Sequence, residues 1–219
     1  MQRPKVIFLD AVGTLFGVKG SVGKVYGEIA QRFGVEVSDS ALNQAFLQSF
    51  QAAPAPIFPV TEPEKIPERE FEWWQAIALH TFQQVGVIHQ FPEFSAFFAE
   101  LYHHFATPEP WFVYPDVRPS LENWQQLGIE LGVLLNFDSR LYLVLKTLDL
   151  AQFFSSVTIS TEVGAAKPDP KIFAVALDKH NCSSELALHI GDSFKEDYQG
   201  AKAAGLRAIW LKRSEKLVG

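Results

Sequence analysis

The feature that most constrains the fold of this chain is an apolar, strand-like segment that ends on a carboxylate. Residues 6–9 are apolar, Asp10 follows them directly, and Gly13 then allows the chain to turn. Active sites of open α/β sheets lie at the carboxyl ends of the strands, so this pattern predicts Asp10 at an active site. Three later segments repeat the plan of strand and then polar residue: residues 129–135 before Asn136 and Asp138, residues 157–160 before Lys167, and residues 186–190 before Asp192 and Asp197.

Composition and charge exclude several classes of protein. The 219 residues have room for one large domain or for a core domain with a smaller insertion, and the 47% of hydrophobic residues allow a sizeable core. A formal net charge of −6 without a basic tract argues against nucleic-acid binding, and no apolar run approaches the ~20 residues of a membrane helix. The single cysteine, Cys182, forms no internal disulfide. We therefore expect a cytoplasmic protein without a signal peptide, and the sequence leaves its oligomeric state open.

The chain divides into a helical stretch and an alternating α/β stretch. From residue 108 onward, strands alternate with helices, as a parallel sheet requires. We predict an α/β core made of residues 1–16 and 108–219, with a helical cap of residues 17–107 inserted after the first strand. The predicted cap helices cover residues 20–33, 39–50, 68–74 and beyond, and 92–104, with a proline-rich loop over residues 54–67.

The polar residues after these strands also resemble a known family. Asp10, Lys167, Asp192 and Asp197 match the first, third and fourth motifs of the haloacid dehalogenase (HAD) superfamily, in the family's order. The resemblance covers essentially the whole chain. It implies a Rossmann-like parallel sheet (the HAD fold) and the subfamily whose helical cap follows the first motif. It also implies a Mg²⁺-dependent phosphohydrolase that acts on a small phosphorylated metabolite through an aspartyl-phosphate.

The candidate catalytic and metal residues follow from this resemblance and from their chemistry. Asp10 is the expected nucleophile, since a carboxylate can attack a phosphoryl group and form a covalent intermediate. Three converging acids repel one another unless a cation lies between them, and Mg²⁺ suits oxygen ligands beside a phosphate. The resemblance assigns the metal to Asp10, Asp192 and the backbone carbonyl of Val12. Asp197 is either a further ligand through water or the residue that orients Lys167.

Two residues are candidates for binding the substrate phosphate. Lys167, just before Pro168, can neutralise phosphate oxygens and the charge that develops in phosphoryl transfer. Asn136 either donates its amide to the phosphate or caps the following helix. The family places a hydroxyl residue at this motif, but Leu135 stands there unless the alignment shifts by one residue to Asn136.

The most serious departure from the family pattern is Val12. Typical members have an aspartate there, which protonates the leaving group and then activates water, and such acid–base catalysis contributes roughly 10²- to 10⁴-fold. Valine predicts weak turnover. One alternative is therefore a catalytically impaired homologue that acts as a binding protein. Another is a phosphonate hydrolase, which would need a cap lysine such as Lys19 or Lys24; a dehalogenase fits less well, because Asp192 suits a metal.

The remaining candidates have ordinary structural explanations. Aromatic residues at helical spacing predict a packed cap core, formed by Trp73, Trp74, Phe97, Phe98 and Tyr102, with the alternative that some of them close over the substrate. His189 lies inside a predicted strand and is expected to be packed. Arg140 is expected to form a structural ion pair, with reach into the site or the cap as the alternative. The nearby Asp138 is expected to have the same kind of structural role.

Overall fold

The computed structural model describes residues 3–58 and 62–213 of the chain. The elements in chain order are β1 (Val6–Leu9), β2 (Phe16–Val18), α1 (Val22–Arg32), α2 (Asp39–Ala52), α3 (Ile66–Gln84), α4 (Phe94–His104), β3 (Trp111–Val113), α5 (Val117–Gln126), β4 (Glu130–Leu135), α6 (Arg140–Thr147), β5 (Ser156–Ile159), α7 (Ser160–Val163), α8 (Pro170–Lys179), β6 (Ala187–Gly191), α9 (Gly200–Ala203) and β7 (Arg207–Trp210). None of the helices in this part of the chain is long and apolar enough to cross a membrane.

Five strands form a parallel sheet in the order β5-β4-β1-β6-β7. The α/β, Rossmann-like fold class predicted from the sequence is therefore confirmed. The strand β1 lies at the centre of the sheet, and all four of its side chains are buried. Because β4 and β6 flank β1 in parallel, the residues that follow these three strands emerge at the same edge of the sheet.

Successive side chains of a strand point to opposite faces, and both faces of this sheet are covered. Ile7 and Leu9 pack on one face, in a cluster with residues of α5 and α6. Val6 and Phe8 pack on the other face, in a cluster with residues of α8 and α9. This double burial explains why β1 is continuously apolar and does not alternate with polar residues.

The helices α1 to α4 surround a hydrophobic cluster of their own. Its fully buried members include Ile29, Leu42, Phe82 and Phe97, all from the stretch predicted to be a cap. The cap stretch is therefore helical as expected, while the exact domain bounds stay a prediction. Residues 1–2, 59–61 and 214–219, which those bounds and the proline-rich loop include, lie outside the described residues.

A two-stranded antiparallel ribbon joins the helical stretch to the sheet domain. Gly17 of β2 pairs with Phe112 of β3, so the ribbon includes the predicted boundary at residues 16–17 and lies three residues beyond the one at residues 107–108. The sequence pattern does not predict this ribbon, because each strand is only three residues long. The chain enters the helical insertion after β2 and leaves it before β3, so the two paired strands lie at the base of the insertion.

Three helix starts differ from the sequence prediction by two residues, and side-chain caps explain two of these shifts. Ser21 accepts a hydrogen bond from the Lys24 amide, so α1 begins at Val22 and not at residue 20. Glu93 accepts from the Ser95 amide, so α4 begins at Phe94 and not at residue 92. The helix α3 begins at residue 66, two residues earlier than predicted, with proline in its first turn, where a missing N–H is tolerated.

Candidate active site

The carboxyl edge of the sheet and the helical insertion enclose one cavity of about 750 Å³. Its wall includes every site residue predicted from the sequence: Asp10, Val12, Asn136, Lys167, Asp192 and Asp197. Asp10, Asn136 and Asp192 directly follow the adjacent strands β1, β4 and β6, so the sheet order brings these three residues together. The cavity is thus formed where open α/β sheets place their chemistry.

The Lys167 ammonium group is the centre of the polar end of the cavity. It is almost completely buried, and its Nζ donates to Asp10 Oδ1 at 2.8 Å, to Asp197 Oδ1 at 2.5 Å and to the Leu134 carbonyl at 3.0 Å. An ammonium carries three N–H groups, and all three have partners. Burial acts to lower the pKa of Lys167, but the charges of Asp10 and Asp197 raise it above its usual value, so the side chain is charged.

Asp10 has one engaged oxygen and one free oxygen. Lys167 holds Oδ1, whereas the buried Oδ2 accepts no hydrogen bond from the described residues. Burial raises the pKa of Asp10 to about 7, with Asp197 and Asp192 adding to the rise and Lys167 opposing it. A buried carboxylate oxygen without a partner is costly, which indicates that a ligand or a cation completes its environment.

Asp197 is held by three donors. Lys167 and His189 Nε2 donate to its Oδ1, the latter at 2.8 Å, and the Ser193 amide donates to its Oδ2 at 2.9 Å. Burial acts to raise the pKa of Asp197, but Lys167 and His189 outweigh it and hold the pKa well below its usual range. Both oxygens are occupied, and this arrangement favours the orienting role for Asp197 over direct contact with a metal.

His189 is fully buried inside β6, as its strand position predicts. Its ring packs edge-on against Phe173 at 5.6 Å, and burial lowers its pKa, so it is neutral. Its hydrogen bond to Asp197 is not predicted by the sequence. The only signal would have been a histidine in an otherwise apolar strand, since a buried imidazole needs a polar partner.

Asn136 clamps the loop that carries Lys167. Its Oδ1 accepts from the Lys167 amide at 2.7 Å, and its Nδ2 donates to the Lys167 carbonyl at 2.9 Å and to Glu196 Oε2 at 3.2 Å. The alternative that Asn136 caps the following helix is wrong, because α6 begins at Arg140 with Ser139 at its N-cap. Phosphate binding by Asn136 stays a prediction, and it would require the amide to exchange one of these partners.

Three carboxylates at this end could hold a cation. Oxygens of Asp10, Asp192 and Asp197 lie within 4.8 Å of one another. Burial and the charge of Asp197 raise the pKa of Asp192, as expected for crowded acids. Gly13, with φ +87°, leaves room for Asp192, since a side chain at residue 13 would overlap the Asp192 carboxylate. An all-oxygen donor set of this kind fits a hard divalent cation.

The wall of the cavity that faces the acidic end is formed by the helical insertion. The insertion contacts residues 138–140 of the sheet domain. Asp138 accepts from Trp74 Nε1 at 2.6 Å and pairs with Arg140 through Nε at 2.8 Å and Nη2 at 2.7 Å. The ion pair expected for Arg140 is therefore present, and the structure identifies Asp138 as its partner. The Arg140 guanidinium also lies 3.8 Å from the centre of the Tyr102 ring.

Phe97 and Phe98 are buried in the cap core as predicted, whereas Trp73 and Trp74 are half-buried and line the cavity.

Glu70 of α3 is a functional candidate that sequence reasoning missed. It is 1% exposed and accepts from the Ser139 amide at 3.0 Å, from Ser139 Oγ at 2.5 Å and from Thr161 Oγ1 at 2.6 Å. Helical periodicity contains the signal, because Glu70 lies on the same face of α3 as the buried Ile66 and Ile77. A carboxylate on an apolar helix face predicts a specific buried partner.

Comparison with known proteins decides the family. The family model described as haloacid dehalogenase-like hydrolase matches residues 4–205. The chain belongs to the haloacid dehalogenase-like hydrolases. This match confirms the resemblance that the sequence motifs indicated.

Individual HAD-like relatives resemble the chain over different lengths. The haloacid dehalogenase-like hydrolase domain-containing protein 3 of Mus musculus is 33% identical over 97% of this chain and 84% of its own length. A phosphoserine phosphatase of Thermus thermophilus is 38% identical over 46% of this chain and 41% of its own length. The structure of L-2-haloacid dehalogenase from Xanthobacter autotrophicus superposes with a TM-score of 0.71 at 18% identity, covering 98% of this chain and 80% of that one. The last likeness shows the HAD fold alone.

Proposed function

We propose that this HAD-like hydrolase is a Mg²⁺-dependent phosphohydrolase that acts on a small phosphorylated molecule through an aspartyl-phosphate on Asp10. The observation that carries the proposal is the asymmetry of Asp10, whose Oδ1 is held by Lys167 while its buried Oδ2 is free. Family membership and the partial match to a phosphoserine phosphatase support it. The free oxygen is oriented for attack because the engaged oxygen fixes the carboxylate.

The residues of the site have complementary roles in this proposal. Asp10 Oδ2 attacks phosphorus, and the leaving alkoxide departs as the aspartyl-phosphate forms. Lys167 holds Asp10 in place and supplies positive charge beside the transferring group. Asp197 and Asn136 position Lys167, one through its ammonium group and the other through its backbone.

A divalent cation fits the acidic end of the site. Asp10, Asp192 and the Val12 carbonyl would hold it, with Asp197 reaching it at most through water. When bound, Mg²⁺ would neutralise the crowded carboxylates and the phosphate charge. This proposal also explains why Asp192 lies near two other acids, an arrangement that is unfavourable without a cation.

Val12 favours slow turnover as part of the same proposal. The valine side chain lines the cavity where the family has its acid–base aspartate. It neither protonates a leaving group nor activates water, so hydrolysis of the aspartyl-phosphate is expected to limit the rate. The second candidate function is a binding protein that retains phosphate affinity without turnover. It is favoured by Val12 and Leu135, which stand where the family has its acid–base aspartate and its hydroxyl residue.

The phosphonate hydrolase alternative receives no support from the lysines that it would need. Lys19 donates to the Glu109 carbonyl at 2.7 Å, and Lys24 lies 3.9 Å from Glu28 on the exposed face of α1. Neither is among the described residues that line the cavity.

The test is the release of inorganic phosphate from a panel of phosphate monoesters by the purified protein with Mg²⁺. We expect slow release that stops on chelation of the metal and in Asp10→Asn, which keeps the size of the side chain but removes the nucleophile. Tight binding of phosphate without release from any ester would favour the binding protein. Release that persists in Asp10→Asn would contradict the proposed nucleophile.

A further inference from the structure

Beyond its polar end, the cavity is lined by aromatic rings. The rings of Phe46 and Phe50 lie 5.7 Å apart, those of Phe50 and Trp74 lie 5.9 Å apart at 22°, and those of Trp74 and Phe137 lie 6.1 Å apart. Phe137 directly follows Asn136, the residue that clamps the Lys167 loop. The rings therefore form a continuous wall from the helical insertion to the phosphate end of the site.

Part of this aromatic wall remains open to solvent. Phe50 is 42% exposed and Leu47 is 48% exposed, although both line the cavity. Apolar side chains that are left exposed around a concave site commonly mark a ligand surface. A cavity of about 750 Å³ is also within the size range of sites that bury a ligand much larger than a phosphate group.

The charges of the wall restrict the ligand further. Among the described residues that line the cavity, the cationic side chains are Lys167 and Arg140. Lys167 is bound to Asp10 and Asp197, while Arg140 is paired with Asp138 and covered by a tyrosine ring. Further carboxylates line the same cavity, including Glu70 and Glu196. A second negative group on the substrate would therefore meet carboxylates and no free cation.

We infer that the cavity selects phosphate monoesters whose organic part is a flat, apolar ring system without a second negative charge. This inference rests on the proposed phosphohydrolase function and adds the substrate class to it. The phosphate lies at the Asp10 end, and the ring system packs against the side chains of Phe50 and Trp74. Esters that carry a carboxylate or a second phosphate are poor substrates.

The test compares esters whose leaving groups are all alkoxides, so that the missing acid–base group at Val12 affects them similarly. The substrates are 1-naphthylmethyl phosphate, ethyl phosphate and phosphoglycolate, each with the full-length protein and Mg²⁺. We expect kcat/KM for the naphthylmethyl ester to exceed that for the other two by at least about 10-fold, because burial of a ring adds much apolar contact. Activity that is equal among the three, or highest with phosphoglycolate, would overturn the substrate class while leaving the phosphohydrolase function intact.

Variants test whether the aromatic wall is responsible. Phe50→Ala and Leu47→Ala should each reduce kcat/KM for the naphthylmethyl ester several-fold and leave that for ethyl phosphate nearly unchanged. Leu143→Ala is the matched control, since Leu143 is 46% exposed and is not among the residues of the cavity wall. An equal loss for both esters, or an equal loss in the control, would contradict the inference.

Binding separates this inference from the proposed function. The quenching of tryptophan fluorescence is measured with 1-naphthylmethylphosphonate and with ethylphosphonate, neither of which is hydrolysed as an ester. Tighter binding of the naphthyl compound, weakened in Phe50→Ala, would support the ring preference even if no ester is turned over. Equal affinities would contradict it whatever the activity.

Discussion

At the scale of single residues, the site depends on how one ammonium group divides its three hydrogen bonds. Lys167 neutralises part of the charge of Asp10 and Asp197, and this pairing is what makes two buried carboxylates tolerable. Its third bond, to the Leu134 carbonyl, ties it to β4. The result is a fixed carboxylate with one free oxygen, which is what the proposed attack of Asp10 on a phosphoryl group requires.

Val12 is the residue whose replacement should raise activity most. Val12→Asp restores a group that can protonate the leaving alkoxide and activate water, so kcat for an alkyl phosphate should rise, by up to roughly 10²- to 10⁴-fold. The burial of a new charge beside Asp10 and Asp192 will limit the gain and reduce the stability of the variant. The measurement is kcat at saturating Mg²⁺, together with the amount of aspartyl-phosphate trapped at steady state, which should fall.

Val12→Asn is the matched control for that prediction. It has the size and polarity of aspartate without its acid–base chemistry, so it should remain as slow as the wild type. If the wild type already hydrolyses alkyl phosphates rapidly and Val12→Asp is no faster, another group supplies the proton transfer.

At the scale of secondary-structure elements, residues 138–140 hold the helical insertion against the sheet domain. Asp138 contacts Trp74, Ser139 contacts Glu70, and Arg140 Nη1 donates to the Tyr102 carbonyl at 3.1 Å. These three residues lie between the end of β4 and the first turn of α6. The contact therefore joins two cap helices, α3 and α4, to the segment that also carries Asn136.

The Glu70 contact should make stability depend on pH in a definite direction. Burial raises the pKa of Glu70, although the hydrogen bonds from Ser139 and Thr161 oppose the rise. The folded protein then binds more protons than the unfolded chain between the ordinary glutamate pKa and the raised folded value, so stability falls as pH rises through that window. In Glu70→Gln this contribution is absent, and the free energy of unfolding of the wild type relative to the variant should decline from pH 4 to pH 7.

Urea unfolding across that pH range measures the effect. Glu72→Gln, an exposed neighbour on the same helix, is the control for the removal of one carboxylate from α3. A difference for Glu70→Gln that is flat, or that grows with pH, would mean that the carboxylate is stabilised in its charged form by the fold.

At the scale of the whole molecule, a cation at the acidic end should stabilise the folded state. Binding only to the native protein contributes RT ln(1 + [L]/Kd), about 2.7 kcal/mol when Mg²⁺ is at 100 times its Kd. We expect Mg²⁺ to raise the Tm of the wild type, and Asp192→Asn to remove most of that increment. Without Mg²⁺ the variant should be at least as stable as the wild type, since one of three crowded acids is gone.

Calorimetry with and without Mg²⁺ makes this measurement. Asp178→Asn, on the exposed face of α8, is the control and should keep the full increment. The same increment in Asp192→Asn would place the cation elsewhere in the molecule.

The sequence alone determined the sheet and the residues at its carboxyl edge. A continuous apolar run such as residues 6–9 specifies a strand buried on both faces, and the polar residue that ends it is then at the edge by necessity. The motif order from Asp10 to Asp197 was therefore sufficient for the fold class and for a list of candidate site residues. Helix starts were less certain, because capping side chains such as Glu93 move them by a residue or two.

Only the tertiary structure decided which of these residues bind one another. The Asn136 amide meets the Lys167 backbone across 31 residues of sequence, and Glu70 meets Thr161 across 91. The local sequence pattern does not predict such pairs. A polar residue after a strand has the same local pattern whether it caps a helix, holds a loop or binds a ligand. The sheet order β5-β4-β1-β6-β7 and the packing of α3 on its edge choose among these roles, because they determine which buried donors and acceptors come within hydrogen-bonding distance.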